Sequence, residues 1–583
     1  MRHTRRNPPR FHTLLLALAL LVPSFAAAQT PRRAAPPQQQ RATPVAQSKR
    51  ARLVLLIAVD QFRYDYLERF GDLFVAGGLR RLLRDGASWT NANYDHTPTE
   101  TAPGHATMMT GAWPSETGII ANEWFDRDVG RRVLNASDDS VRLLGGGEKE
   151  AASSPRRLLV STLGDELRLL TSGRSKVVGV SLKDRSAILP SGRHASAAYW
   201  FSPQTGRMVS SSYYFNDVPA WVTRFNETWR ADRYFGQRWE RALCEDKRPR
   251  CEEEYARRAG PDDAPWERGV GAPAHITFPH TVNRGSPDAP YETLSPTPFA
   301  NDLVLAFAKD AMTNERLGAD EDTDVLTVSF SANDYVGHRF GPYSQEVMDV
   351  TLRTDRQIAD LLNFVERTVG FQHTLVAFTA DHGVGPVPEH AASLNLPGQR
   401  VNPEHVETAI KNALRARFGH DGRKTDDYFL HYTPRNGNVY FNPVALARDG
   451  VAVEDVQRLA GQAALTVPGI SRYFTRAQLV EGSVSPADAI ARRVLHGYHA
   501  RRGGDLVLVT QPYHYVSTYT GDHFSPYSYD THVPVILMGE RVAPGTYTQP
   551  ATPADIAPTL AAILRVQAPS NSMGRVLVEA LKE

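Results

Sequence analysis

The apolar stretch Leu53–Val59, with the sequence LVLLIAV, determines the fold class. It contains no charged residue, it is rich in branched side chains, and it ends at Asp60. A run of this length without polar alternation is typical of a strand buried on both faces, as in parallel sheets that helices cover. Similar runs occur at 177–182, 325–330 and 374–380. The sequence therefore predicts an α/β protein with a mostly parallel central sheet flanked by helices.

Each of these four runs leads to a charged or metal-ligating residue. Asp60 and Lys183 directly follow the first two runs, Asp334 lies shortly after the third, and Asp381-His382 follow the fourth. In open α/β sheets, functional sites lie outside the carboxyl ends of the strands. We therefore expect these side chains to meet in one site. Two further strands are predicted at 505–510 and 533–538, and a late helix at 553–564.

Length and composition bound the remaining possibilities. The chain has 583 residues, of which 41% are hydrophobic, and a formal net charge of +2. This composition excludes a disordered chain, and the near-neutral charge gives no general attraction for nucleic acid, so no stable nucleic-acid partner is expected. The only cysteines are Cys244 and Cys251, so a disulfide framework and a multi-cysteine metal site are excluded. In an oxidising compartment a local disulfide is expected, with two free thiols as the alternative.

The N-terminal residues predict export. Arginines precede the apolar run 14–22, and three alanines at 26–28 offer a small-residue cleavage site, which is the pattern of a secretory signal peptide at 1–28. Residues 29–50 are rich in proline and glutamine and predict a disordered tether. Since the apolar run is too short for an ordinary spanning helix, we expect a periplasmic or secreted protein with no membrane span after cleavage. An uncleaved membrane anchor is the alternative.

Residues 51–583 predict one domain with two long insertions. The segments 202–296 and 389–503 lack the rhythm of the buried strands, and the second carries helical patterns at 404–418 and 453–465. Both are interpreted as caps over the sheet.

The candidate metal ligands are three aspartates and three histidines. Taken singly, an aspartate after a strand is most often a cap or turn residue, and a histidine is most often structural. Their joint placement at strand ends favours a site, and six nitrogen and oxygen ligands suit a pair of zinc ions that each keep an open position. The set is Asp60, Asp334, His338, Asp381, His382 and His532.

A candidate nucleophile lies in the segment PTETAPGHA at 98–106. A threonine at a helix start usually caps the helix, and this reading applies to Thr99, Thr101 and Thr107 alike. A helix N-terminus also attracts anions. A hydroxyl placed there beside a zinc ion could lose its proton and attack phosphorus, which makes Thr101 a plausible nucleophile.

These motifs together resemble the alkaline phosphatase superfamily, and within it the bacterial phosphate-irrepressible, PafA-type enzymes, whose nucleophile is threonine. The resemblance covers residues 51–583 and implies an alkaline-phosphatase-like catalytic domain. The motifs that carry it are Asp60, Thr101 within TETAPGH, Asn122, Lys183-Asp-Arg185, Asp334-x-x-x-His338, Asp381-His382-Gly383 and Tyr529-Asp-Thr-His532-Val-Pro534.

The resemblance implies a two-zinc hydrolase that forms a covalent phosphothreonine. One zinc ion would be held by Asp60, Thr101, Asp381 and His382, and the other by Asp334, His338 and His532. Lys183 takes the region where related serine enzymes hold magnesium, so no essential magnesium is expected. No catalytic role is expected for His523, and His96, His105 and His390 are expected to be structural, with His105 bracing the nucleophile turn.

The remaining motif residues indicate the substrate. By the same resemblance, Asn122, Lys183 and Arg185 would donate to the nonbridging phosphate oxygens, which favours the dianion of a monoester. We therefore expect hydrolysis of small-molecule phosphate monoesters to alcohol and inorganic phosphate, with broad specificity. A phosphodiesterase or nucleotide pyrophosphatase of the same fold is the nearest alternative. A non-catalytic metal-binding protein is the alternative from another class.

Overall fold

The computed structural model describes residues 51–270 and 274–582. The predicted signal peptide and tether lie outside the described residues. At the centre is a ten-stranded sheet. In spatial order its strands are Gly545–Tyr547, Ala87–Trp89, Val535–Met538, Thr374–Thr379, Leu53–Val59, Asp324–Phe330, Val177–Ser181, Ala197–Ser202, Arg207–Ser211 and Leu143–Leu144.

The middle of this sheet is parallel, as predicted. Leu53–Val59 pairs in parallel with Asp324–Phe330 on one side and with Thr374–Thr379 on the other. Parallel pairing continues from Asp324–Phe330 to Val177–Ser181 and from there to Ala197–Ser202. Five neighbouring strands therefore bring their carboxyl ends, and the residues that follow them, to the same edge of the sheet.

Both faces of the sheet are covered, which explains the unbroken apolar run. Odd-numbered side chains of Leu53–Val59 pack in a core that includes the helices Pro298–Glu315 and Gln345–Thr368. Even-numbered side chains pack in a second core with Leu163–Leu170 and Ile556–Leu564. Successive strand residues point to opposite faces of the sheet, and both faces are buried. Every position of the strand is therefore apolar.

The other α-helices around this sheet are short. They are Tyr66–Phe70, Leu79–Asp85, Thr101–Thr110, Pro114–Thr117, Asp184–Ile188, Ala332–Phe340, Pro388–Ser393 and Ser528–Thr531. A two-stranded ribbon joins Glu123–Asp126 to Arg131–Leu134. Among the described residues, no helix is both long and apolar enough to cross a lipid bilayer.

The first insertion is anchored on one buried carboxylate. It carries the helices Ala220–Thr228, Ala242–Glu245 and Cys251–Ala259 and the paired strands Arg238–Trp239 and His280–Thr281, and a disulfide joins Cys244 to Cys251. Asp349, on the helix Gln345–Thr368, accepts hydrogen bonds from the Trp239 indole (2.5 Å), the Ala242 N–H (2.6 Å) and the Tyr255 hydroxyl. The insertion is therefore bound to the core by charge-assisted hydrogen bonds.

The second insertion has its own sheet and core. Its four strands, in spatial order, are Phe429–Thr433, Asn438–Phe441, Leu506–Thr510 and Ile470–Thr475. The predicted strand at 505–510 exists, but it belongs to this small sheet. The helices Pro403–Phe418 and Val453–Ala464 confirm the two predicted helical patterns and pack on its core, and further helices are Pro443–Arg448, Arg476–Val480 and Ala489–Gly497.

Buried acidic groups lie where the first insertion meets the helix Gln345–Thr368. Asp262, Glu267 and Glu346 each have one carboxylate oxygen without a hydrogen-bond partner among the described residues. Burial raises the pKa of Glu267 to about 8, and the nearby Asp262 adds to the rise. Burial also raises the pKa of Glu346, whose Oε1 lies 2.9 Å from His280 Nε2. Burial therefore favours the protonated form of Glu267 and Glu346 over the charged form that exposed carboxyl groups take.

Replacing Glu267 by glutamine is expected to make the stability less sensitive to alkaline pH. The folded-state pKa lies above the ordinary value of 4.5, so the folded chain binds the extra proton and the free energy of unfolding falls as the pH rises from 4.5 through about 8. The loss amounts to about 3 to 5 kcal/mol. Thermal unfolding near pH 6 and near pH 9 measures the part of this loss that falls between those two pH values, about 2 to 3 kcal/mol. The exposed Glu148→Gln is the control, and an unchanged pH dependence in Glu267→Gln would contradict the expectation.

Candidate active site

Three strands of the parallel region deliver one group of ligating side chains. Asp60 follows Leu53–Val59, and Asp381 and His382 follow the neighbouring strand by two and three residues. His382 Nε2 lies 3.6 Å from Asp60 Oδ1 and 3.5 Å from Asp381 Oδ2, and all three side chains are fully buried. Asp60, Asp334 and His382 form a group whose ligating atoms lie within 4.8 Å of one another.

A second group adjoins the first through Asp334. This residue lies in the first turn of the helix Ala332–Phe340, and His338 follows one turn later. His338 Nε2 lies 3.2 Å from Asp334 Oδ1, and His523 Nε2 lies 3.8 Å from the same atom. Asp334, His338 and His523 satisfy the same 4.8 Å criterion. The structure therefore brings together two sets of metal-type ligands at one sheet edge.

Backbone carbonyl groups orient the three histidines. The Nδ1 atoms of His338, His382 and His523 lie 2.7, 2.8 and 2.6 Å from the carbonyl oxygens of Gly521, Gly383 and Thr99. An Nδ1–H that donates to a carbonyl leaves Nε2 as the unprotonated ligand atom. Each ring therefore presents Nε2 to the carboxylates.

The structure places His532 outside both groups. Its Nε2 lies 2.9 Å from the Thr90 carbonyl oxygen, and its ring stacks on Tyr64 with 4.3 Å between centroids. Among the described residues, it belongs to neither group of metal-type ligands. A backbone bridge to Asn93 holds the segment next to the strand Ala87–Trp89, so the ring is directed to Thr90.

His523 takes the position that His532 was predicted to hold. No role was expected for it from the sequence because no strand of the central sheet leads to it: the strands just before it, Leu506–Thr510 and His514–Tyr515, belong to smaller sheets. The adjacent Asp522 is the only nearby signal in the sequence, and it does not indicate where the His523 ring lies. The ring stacks on His382 with 3.7 Å between centroids, which places it between the two groups.

The predicted nucleophile begins a buried helix at the same edge. Thr101 is the first residue of Thr101–Thr110, and its side chain is 1% exposed. His105 braces this turn, since its Nδ1 lies 2.9 Å from the Thr101 carbonyl oxygen and its Nε2 lies 2.8 Å from Ser329 Oγ. The helix approaches Asp381 so closely that a Cβ atom on Gly104 would lie 2.2 Å from the Asp381 carbonyl oxygen. Only glycine permits this contact.

Lys183 connects the nucleophile with both groups. Its Nζ lies 2.6 Å from Asp60 Oδ2, 2.5 Å from Asp334 Oδ2 and 3.4 Å from Thr101 Oγ1. Burial alone would lower the pKa of Lys183, but Asp334 and Asp60 outweigh burial and raise it. Lys183 is therefore a permanent positive charge beside the threonine hydroxyl.

Asn122 and Arg185 face the same space. Asn122 Oδ1 accepts the Ala102 N–H at 2.9 Å, while its Nδ2 makes no hydrogen bond to any described residue. Arg185 Nε also lacks a partner there, and its nearest carboxylate, Asp184, is 3.7 Å away. Both side chains line a cavity of about 340 Å³ together with Thr101 and Lys183. The three predicted donor residues and the predicted nucleophile therefore line one cavity.

A buried acid, Glu100, holds the backbone of Asn122 in place. Glu100 Oε2 accepts the Asn122 N–H at 2.5 Å, and burial raises the pKa of Glu100 to about 8. Gln61 plays a similar supporting part at the metal-type ligands, because its Nε2 donates to Asp334 Oδ1 at 2.7 Å and its N–H donates to Asp381 Oδ1 at 3.0 Å. Neither residue was predicted from the sequence.

The residues fit a pair of divalent cations. Three buried carboxylates, those of Asp60, Asp334 and Asp381, face a single buried ammonium, which leaves negative charge that burial makes costly. Asp60 Oδ1 and His382 Nε2 have no hydrogen-bond partner among the described residues. Asp381 Oδ2 lies 3.2 Å from His105 Nδ1. Zinc binds nitrogen and oxygen atoms that converge on one point in this way.

Comparison with known proteins gives a family and similar relatives. A profile of the type I phosphodiesterase / nucleotide pyrophosphatase family matches residues 54–533. Alkaline phosphatase PhoV of Synechococcus elongatus is 35% identical over 537 residues, which are 91% of this chain and 93% of the relative. Alkaline phosphatase PafA of Elizabethkingia meningoseptica is 34% identical over 537 residues, 91% of this chain and 95% of the relative.

The fold agrees with the similarity in sequence. A crystal structure of wild-type alkaline phosphatase PafA is similar to this structure with a TM-score of 0.84 and 34% identity. The match covers 91% of this chain and 99% of that chain. The central sheet with its flanking helices is therefore an alkaline-phosphatase-like fold.

Proposed function

The chain belongs to the type I phosphodiesterase / nucleotide pyrophosphatase family and within it to the PafA-type alkaline phosphatases, so it is a phosphomonoesterase, and we propose that it works as an exported, zinc-dependent enzyme through a phosphothreonine at Thr101. One observation carries this proposal. Thr101 Oγ1, at the start of a buried helix, lies 3.4 Å from Lys183 Nζ, which itself contacts both groups of metal-type ligands. Export through the signal peptide at 1–28 is proposed from the sequence pattern.

The proposed zinc ligands follow from the two groups. One ion would be held by Asp60, Asp381, His382 and Thr101, and the other by Asp334, His338 and His523, which replaces His532 in the prediction from sequence. When bound, two such ions supply Lewis acidity to the attacking and leaving oxygens of an in-line displacement. Lys183 Nζ stands between Asp60 and Asp334, so we propose no essential magnesium.

Thr101 provides the reacting oxygen. In the first step, a bond forms between Thr101 Oγ1 and phosphorus while the bond from phosphorus to the alcohol oxygen breaks, and the proton lost by the threonine balances the proton gained by the alcohol. In the second step, water breaks the phosphothreonine bond, which releases inorganic phosphate and restores the hydroxyl group. The Lys183 charge stabilises the threonine oxygen when it is negative.

The other cavity donors hold the phosphoryl group. The free Asn122 Nδ2 and the Arg185 guanidinium can donate to nonbridging oxygens, because both line the cavity and neither is paired with a carboxylate closer than 3.7 Å. A monoester dianion offers its charge to these donors, whereas a diester carries an alkyl group on one of the oxygens. The donor set therefore favours monoesters over the diesters that give the wider family its name.

Replacing Arg185 by glutamine is expected to lower kcat/KM for an aryl phosphate monoester by about 10-fold to 100-fold, the value of a charge-assisted hydrogen bond. For the matching methyl aryl diester the loss is expected to be smaller, because the diester has less charge to offer. Steady-state kinetics of both substrates measures the difference. The control is Arg207→Gln, an exposed residue at a strand start. A wild-type preference for the diester would favour the phosphodiesterase alternative.

A further inference from the structure

The catalytic cavity carries more positive charge than the phosphoryl group needs. Besides Lys183 and Arg185, the side chains of Arg268, Arg339 and Arg435 line it, and Asp334 is its one acidic lining residue among those described. A single phosphate dianion is already met by Lys183 and Arg185. The three further arginines therefore raise the question of what else the cavity binds.

Arg268 and Arg339 form a linked pair beside His338. Arg339 follows His338 on the helix Ala332–Phe340, and its carbonyl oxygen accepts the Arg268 N–H at 2.9 Å. Arg339 Nη1 donates to the Gly269 carbonyl at 3.1 Å, and Arg268 Nη2 donates to the Thr518 carbonyl. The backbone thus fixes both guanidinium groups at one wall of the cavity.

Neither guanidinium of this pair is neutralised. Within the part of the chain that the structure describes, no carboxylate lies within 4.0 Å of either one. Burial lowers the pKa of Arg339, the charge of the more distant Glu292 opposes this change, and Arg268 adds to it. Two neighbouring cations that are not ion-paired with a carboxylate bind an anion favourably, because the anion reduces their mutual repulsion.

Arg435 differs from the pair. Its Nη2 lies 2.7 Å from Asp522 Oδ1, and its guanidinium stacks on Phe524 at 4.1 Å and on Tyr519 at 4.7 Å. The carboxylate neutralises it and the rings hold it in place. It therefore shapes the cavity wall and leaves the uncompensated charge to Arg268 and Arg339.

We propose that Arg268 and Arg339 form a second anion subsite that binds a negatively charged group on the alcohol part of the substrate. The preferred substrates are then phosphate monoesters whose alcohol carries a carboxylate or a second phosphate. A cavity of about 340 Å³ has room for a small molecule of this kind. This inference rests on the proposed function, and it replaces the broad specificity expected from the sequence with a preference for doubly anionic esters.

Three substrates with one carbon skeleton test the subsite: propyl phosphate, 3-phosphooxypropanoate and propane-1,3-diyl bisphosphate. For the wild-type enzyme, kcat/KM is expected to be at least about tenfold higher for the two charged esters than for propyl phosphate. Arg268→Gln and Arg339→Gln are each expected to lower this ratio about threefold or more, and the double variant to bring it close to one. Arg207→Gln controls for the loss of one positive charge elsewhere.

The outcomes separate the subsite from the underlying activity. Hydrolysis of propyl phosphate with no advantage for either charged ester would overturn the subsite alone, as would an advantage that survives in the double variant. No hydrolysis of any of the three would overturn the proposed function instead. An advantage shown by both charged esters supports a general anion subsite, and one confined to the bisphosphate supports a phosphate subsite.

A binding measurement keeps the test independent of turnover. Propylphosphonate and 3-phosphonopropanoate have no ester bond to hydrolyse, and calorimetric titration of the full chain gives their Kd values. The charged phosphonate is expected to bind at least about tenfold more tightly, and Arg268→Gln to remove most of that difference. Arg268 is exposed, so its replacement leaves the core unchanged. Equal Kd values for both phosphonates would contradict the subsite.

Discussion

Replacing Thr101 by alanine is expected to lower kcat/KM for an aryl phosphate monoester by at least about ten-thousandfold, because no other described group occupies its position at the helix start. The side chain is buried and the change removes only a hydroxyl and a methyl group, so the fold and the two groups of carboxylates and histidines remain. Steady-state kinetics measures the loss, and elemental analysis of the purified variant measures the retained zinc.

The matched control is Thr101→Ser, which keeps a hydroxyl group at the same backbone position. We expect this variant to keep activity within about a hundredfold of the wild type. Acid-quenched wild-type protein is expected to carry one phosphoryl group on the peptide that contains Thr101, seen by mass spectrometry. Undiminished turnover by the alanine variant would remove the covalent mechanism, and zinc binding without turnover in the wild type would favour the non-catalytic metal-binding alternative.

Replacing His523 by alanine is expected to lower the zinc content from about two ions to about one per chain, and kcat/KM by at least about a hundredfold. The physical reason is that His523 Nε2 faces Asp334 Oδ1 at 3.8 Å, and its Nδ1 is held by the Thr99 carbonyl. Elemental analysis and kinetics of the same preparation check both values.

His532→Phe provides the comparison that decides between the two histidines. Phenylalanine keeps the aromatic packing on Tyr64 and loses only the contact of Nε2 with the Thr90 carbonyl. This variant is expected to keep both zinc ions and to stay within about threefold of wild-type activity. Should His532→Phe lose one zinc ion while His523→Ala keeps both, the ligand set predicted from sequence would stand and the one drawn from the structure would fall.

The pattern of buried strands made most of the candidate site predictable. Asp60, Lys183 and Asp381 each follow an apolar run, and parallel strands that neighbour each other bring their ends together without further information. Asp334 and His338 add a helical spacing of four residues, which places both on one face. A resemblance to a family then assigned roles to these residues and added Asn122 and Arg185, which the strand pattern had not grouped with them.

His523, Arg268 and Arg339 were not predictable in the same way. His338 reaches the Gly521 carbonyl across 183 positions of sequence, and Arg268 belongs to an insertion without a strand that leads to the site. The positions of these loops depend on how the insertions pack on the core. The choice between His523 and His532, nine positions apart, depends on which backbone carbonyl each ring meets.

By itself, the sequence of this protein determined the α/β class and the parallel order of ligating strand ends, because burial patterns and strand ends are local properties of consecutive residues. The threonine nucleophile stays a prediction. Only the tertiary structure decided which histidine lies with the second group of metal-type ligands and which arginines have no ion-paired carboxylate. Those properties depend on distances between segments far apart in the chain, and the folded backbone alone sets such distances.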